Sequence, residues 1–197
     1  CPGIMQVEVL SCDRLAERIL DEAGGKTRIM IDDQGRHMVL RKIIDDLVPQ
    51  LNVYQKVSRQ DGFVRHLGTL LSEFKHYHIT PEMLESASKI HTGTLKDKLN
   101  DISLIFKHFN DYLGVRYLDI DDRFNLVLER IHDSTLLRNS RVWLDGFTTL
   151  TPQQLSIIHS MMQICVQVTC AYTLDQNVKS RDGELFEPSR RAYNAVK

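Results

Sequence analysis

The sequence predicts an α/β fold, mostly helical, in which a parallel sheet is interrupted by a large helical insertion. Three observations predict it. Short apolar runs stand near residues 7–10, 141–145 and 166–172. Each is joined to the next through helical sequence, as parallel pairing requires. From about residue 38 to 135 the chain carries almost nothing but helix signal. A chain of 197 residues is long enough for one core with a sizeable insertion.

The elements follow in order. QVEVLS alternates as a strand does, and Ser11 is placed to cap a helix through RLAERILDEA that stops at Gly24-Gly25. MVLRKIIDDLVPQL and GFVRHLGTLLSEFKHYH are helices; Phe63, Val64, Leu67, Leu70, Leu71 and Phe74 form the apolar face of the second. TPEMLESASK is a short helix with Thr80 as cap and Pro81 behind it. In TLKDKLNDISLIFKHFNDYLG a narrow stripe of Leu95, Leu99, Ile102, Phe106, Phe109 and Leu113 runs to Gly114. IDDRFNLVLERI is the next helix. Arg141 to Leu144 are too few for a helix and lie between Asn139-Ser140 and Gly146, so they read as a buried strand ending on Asp145, with Trp143 in the core. Thr151-Pro152 opens a helix that leads into a last strand, CVQVTCAYT. The boundaries that result are a sheet domain at 1–24 and 138–197 and an insertion at 25–137.

Bulk properties narrow the function. With 25 basic against 26 acidic residues, the whole surface is not built to grip duplex DNA, although a local basic groove is compatible with that balance. No run of eighteen apolar residues occurs, so no membrane span is expected. The four cysteines, at 1, 12, 165 and 170, form no C-x-x-C pair and read as buried reduced thiols of a cytoplasmic protein. An opening Cys1-Pro2-Gly3 without Met suggests a piece of a longer chain.

Several motifs look chemical. AGGKT at 23–27 resembles the end of a phosphate-binding loop, but Leu20 stands where the first Gly is required and a helix precedes it. Glu73/His76 and Glu129/His132 have the E-x-x-H spacing of di-iron bundles, yet both pairs point away from their apolar faces. His76-Tyr77-His78 reads as the surface end of a helix. Asp145 is the stronger signal. In α/β sheets ligands gather at the carboxyl ends of strands, and an apolar strand ending in Asp often holds Mg²⁺ in nucleotide-hydrolysing folds. The competing reading is a solvated turn carboxylate.

Three segments together carry a resemblance. EVLSCDRLAERIL resembles the TFHxLAxRIL segment of UvrD-like helicases, which leads into their helical 1B insertion. VWLDGFTTLTPQQLSII stands where their magnesium and hydrolysis motif stands, and CVQVTCAYTLD where their next strand does. The sequence is more similar still to the AddB family of helicase–exonuclease subunits, in VWLDGFTTLTPQQ, LRKIIDDL, ITPEML, KLNDISLIF, YLDIDDRF and the tail ELFEPSRRAY. The resemblance implies a partial P-loop helicase-type sheet (1A-like) carrying a 1B-like insertion. It implies a role in double-strand break repair by recombination, bound to an AddA-like motor subunit and to single-stranded and duplex DNA. The parent protein would use ATP, Mg²⁺ and an iron–sulfur cluster; none of the four cysteines here matches the setting of that cluster.

Departures from the motor pattern matter. The Glu that activates the attacking water is replaced by Gly146, and an active motor's Gln-Asp by Thr148-Thr149. Cys12 replaces the aromatic residue that meets single-stranded DNA beside Ser11. The resemblance therefore implies no catalytic residue in this chain, a vestigial metal position at Asp145 and a DNA contact at Ser11. Two alternatives stand beside it, an active UvrD-type ATPase and a helical metalloenzyme.

Overall fold

A computed structural model describes residues 7–24, 28–114, 116–174 and 185–197. In chain order the elements are α1 (Cys12–Ala23), β1 (Ile29–Ile31), α2 (Asp33–Leu47), α3 (Asp61–His76), α4 (Pro81–Ile90), α5 (Thr94–Leu113) and β2 (Tyr117–Asp119). There follow α6 (Arg123–Arg130), α7 (Thr135–Arg138), β3 (Arg141–Leu144), α8 (Pro152–Ile164), β4 (Gln167–Cys170) and α9 (Glu187–Val196). The fold is mostly helical with small parallel sheets, an α/β arrangement. It divides into two compact units: residues 28–123 with 151–153, and residues 1–27, 124–150 and 154–197.

The helical unit is built on α2, α3, α4 and α5. Asp32 caps α2 by accepting from the Gly35 N–H, and Thr80 caps α4 by accepting from Met83, with Pro81 in the first turn. Leu40, Ile44, Val64, Leu67, Leu71, Ile105, Phe106 and Phe109 form its core. The anticipated face of α3 is the buried one. That of α5 is broader than a single stripe: Ile105, Ser103 and Asp101 are buried with it, while Leu95 is exposed. At Gly114 the backbone turns left-handed, at φ 46, and α5 ends.

The stretch assigned to a helical insertion is not helix alone. β1 and β2 pair in parallel, Ile29 opposite Tyr117 and Ile31 opposite Asp119, and so bring the two ends of the unit together. Three-residue strands carry no readable period, which is why neither was anticipated. Residues 124–137, assigned to the insertion by sequence, group with β3 and β4 in the second compact unit.

In that second unit β3 and β4 pair in parallel from Arg141↔Gln167 to Leu144↔Cys170, as expected. Ala16, Ile19 and Leu20 of α1, Leu126 and Val127 of α6, and Ile157, Ile158 and Met161 of α8 are buried. Glu22 ties α1 to the start of α7. Its carboxylate accepts from the Ser134 hydroxyl at 2.7 Å, from the Thr135 and Leu136 N–H groups at 2.9 and 3.0 Å, and from the Thr135 hydroxyl. The Thr135 and Ser134 hydroxyls hold the Glu22 pKa below the usual carboxylate range. A depressed acid stabilises the fold above its unfolded pKa, and that support fades as pH falls through the folded one.

Two expectations fail here. Residues 7–10 form no strand and pair with none among the described residues, and Val9 is 91% exposed. Alternation predicts an extended backbone; it does not supply a neighbouring strand. Trp143 is 64% exposed, not core. In β3 only Val142 and Leu144 turn inward, and Trp143 falls on the opposite face of the pleat.

Candidate functional site

The unit that carries β3 and β4 brings the helix-capping serine and the strand-end aspartate motif near one apolar pocket. Ser11 has extended backbone and its Oγ accepts from the Arg14 N–H at 3.3 Å, which makes it the N-cap of α1. The hydroxyl is exposed and keeps its own hydrogen to donate. Next to it, Cys12 lines a pocket with Leu15, Leu144, Phe147, Leu150 and Ile158. The pocket is a shallow apolar depression that opens to solvent. Cys12 and Leu144, at the start of α1 and the end of β3, thus share a wall.

Asp145 follows β3 directly and is exposed, with no side-chain hydrogen bond or ion pair among the described residues. The turn after it is made by Gly146, whose φ of 81 lies in the left-handed region. Thr148 and Thr149 are exposed, while Phe147 and Leu150 fold back toward the pocket. A magnesium site needs near-octahedral oxygen coordination, usually from one or two carboxylates together with phosphates and water. No group of three or more His, Cys, Asp or Glu among the described residues is placed to hold a metal. Asp145 offers a single solvated carboxylate, and the glycine after it adds no second ligand.

A Cβ at position 146 meets nothing within 4 Å, so the backbone angle, not space, excludes a side chain. Gly146→Ala is expected to cost about 1–2 kcal/mol, the penalty for an L-residue forced left-handed. Urea unfolding measures it. An unchanged midpoint would contradict the turn described here.

The three described cysteines, Cys12, Cys165 and Cys170, are free but only partly buried, and burial raises each thiol above its ordinary pKa. Cys1 and residues 25–27 of AGGKT lie outside the described residues. Glu73, Glu129 and His132 are exposed, as their helical positions imply, whereas His76 is half-buried and faces Asp121.

Sequence reasoning missed a buried polar assembly in the helical unit. Asp119, at the end of β2, accepts from Arg36 Nε and Nη2 at 3.0 and 2.6 Å and from Lys75 Nζ at 2.9 Å. Arg36 also reaches Asp121 at 2.8 Å and the Ser72 hydroxyl, and Lys75 reaches Asp122 at 2.7 Å. His76 Nε2 stands 3.4 Å from Asp121. Burial pushes the Asp122 carboxyl up; Lys75 opposes that rise, and the charges of Asp119 and Asp121 add to it. A signal was present: Leu67, Leu71 and Lys75 are spaced by four, so Lys75 had to point inward.

Comparison with known proteins places the chain. The family described as "ADDB, N-terminal" matches residues 1–197. The ATP-dependent helicase/deoxyribonuclease B subunit of Alkaliphilus metalliredigens (strain QYMF) is 40% identical over 99% of this chain and 17% of that protein. The proteins of the same name from Alkaliphilus oremlandii (strain OhILAs) and Bacillus mycoides (strain KBAB4) are 38% and 34% identical. They are likewise matched over 99% of this chain, and over 17% and 18% of their own lengths. The chain therefore spans less than a fifth of these relatives. It belongs to the AddB N-terminal family, which it shares with helicase/deoxyribonuclease B subunits.

Proposed function

We propose that this chain is a helicase-like domain without a working motor site, serving a helicase–exonuclease subunit by binding DNA and an AddA-like motor subunit. The setting is double-strand break repair by recombination in the cytoplasm. The observation that carries the reading is Gly146, left-handed and side-chain-free at the place where a motor needs the water-activating Glu. Family membership and the names of the relatives support the subunit role. In this reading the β3–β4 pair is part of a P-loop helicase-type sheet, and the helical unit is its 1B-like insertion. Asp145 is a remnant of the metal position. ATP, Mg²⁺ and the iron–sulfur cluster belong to the remainder of the enzyme.

Ser11 is the DNA contact in this reading. It stands at the N-terminus of α1, where backbone N–H groups and the helix dipole favour phosphate. With Cys12 beside it in place of an aromatic platform, about 1–3 kcal/mol of stacking per base is missing. Net charge near zero adds little non-specific attraction. The chain alone is therefore expected to bind a labelled single-stranded oligonucleotide at least about tenfold more weakly than the whole subunit does with its motor partner. Fluorescence anisotropy at physiological salt tests this. Sub-micromolar affinity of the chain alone would overturn it.

A further inference from the structure

Among the described residues the β3–β4 pair has one covered face and one open face. Val142, Leu144, Val168 and Cys170 are half-buried, whereas Arg141, Trp143, Gln167 and Thr169 are exposed. Antiparallel sheets tolerate an open face. Parallel sheets occur almost only with both faces covered, because their crossover helices lie on the faces. An isolated two-stranded sheet is also marginal in water. The chain's only tryptophan, at 64% exposure, stands in the middle of this open face, opposite Thr169. A second sign of missing cover lies in the same unit: residues 7–10 pair with no strand among the described residues, and Val7 and Val9 are exposed.

We infer that the Trp143 face of β3–β4 is the docking surface for an amphipathic helix from the remainder of the same subunit polypeptide. The length of the relatives names this occupant. This chain matches 17–18% of each, so more than four-fifths of every such polypeptide lies outside the matched stretch. A helix is the element that covers a parallel sheet, and its apolar stripe would close over the Trp143 ring. Arg141, on the same face, asks for an acidic residue at the edge of that stripe. Nucleic acid fits the face less well. Arg141 is its only cation beside the neutral Gln167 and Thr169, and affinity for phosphate backbones comes from several lysines and arginines together. The inference rests on family membership and chain length, not on the DNA role proposed above, so either can fail without the other.

The test uses the full-length subunit, free of motor partner and DNA, in hydroxyl-radical footprinting read by mass spectrometry at Trp143. Oxidation is expected to be about tenfold lower than in the same subunit unfolded in urea, the protection of a side chain inside packed structure. Adding the motor subunit or a single-stranded oligonucleotide should leave it unchanged. A photo-reactive phenylalanine analogue at position 143 should then cross-link to peptides of the same polypeptide beyond these 197 residues. Trp143 that oxidises freely in the subunit alone would overturn the proposal. Protection that comes only with the oligonucleotide, or only with the motor subunit, would also overturn it and give the face to that ligand. Cross-links confined to residues 1–197 would do the same.

Discussion

Asp119→Ala is expected to destabilise the helical unit by about 3–5 kcal/mol, the cost of breaking a buried ion pair from one side. Asp119 is 1% exposed and both of its oxygens are engaged, one by Arg36 and the other by Lys75. Those cations retain Asp121 and Asp122, so neither is left wholly unpaired. They do lose three charge-assisted hydrogen bonds to a carboxylate that is nearly fully buried. Lys75 also lies 5.3 Å from the centre of the Phe109 ring, so its displacement would disturb the core directly. Urea unfolding followed by far-UV circular dichroism should show an earlier midpoint with unchanged slope. A loss below about 1 kcal/mol would mean the network behaves as a surface pair does.

The second large effect is expected at Asp101. This carboxylate, on α5 and 1% exposed, receives the backbone N–H groups of Asn52, Val53 and Tyr54 at 2.8–3.1 Å and the Asn52 side-chain amide at 3.2 Å. It caps the short 3₁₀ turn at Tyr54–Lys56 from another element, a job that no residue inside the turn performs. Asp101→Ala strands three backbone donors as well as the Asn52 side-chain amide and is expected to cost about 2–4 kcal/mol, given about 1–3 kcal/mol for a buried group left without its partner. Asp101→Asn keeps one acceptor oxygen and should lose roughly half as much. The local readout is amide hydrogen exchange: Val53 and Tyr54 should accelerate ahead of the α3 and α5 cores. Unchanged exchange at those two amides would refute the assignment.

Much of the fold was legible because chemistry marks the ends of elements. Ser11 and Gly24 bracket α1, Thr80-Pro81 starts α4 and Gly114 ends α5. The bounded run RVWL marks β3. Elements without such marks were missed. Ile29-Met30-Ile31 is too short for a period, and its partner lies more than eighty residues away. Buried charge was missed for a different reason. Asp101 and Lys75 sit on inward faces, but their partners come from other elements, and one-dimensional spacing does not show which carboxylate will meet which cation. Trp143 misled because hydrophobicity alone does not say which face of a strand is covered.

At the Asp145 motif the sequence order was readable and the backbone was not. That Gly146 follows the aspartate is visible in the sequence; that it holds a left-handed turn is not. The angle changes the meaning of the substitution. Restoring a glutamate by Gly146→Glu would strain the turn and is not expected to restore a motor.

Phosphate release from ATP by the chain, with single-stranded DNA and Mg²⁺ present, tests the absence of a motor site most directly. The expected rate is background, since a positioned acid–base group alone contributes about 10²–10⁴-fold and Gly146 supplies none. Asp145→Ala should leave that background where it is. Turnover above background that disappears in Asp145→Ala would contradict the account and make this strand end a working ATPase site.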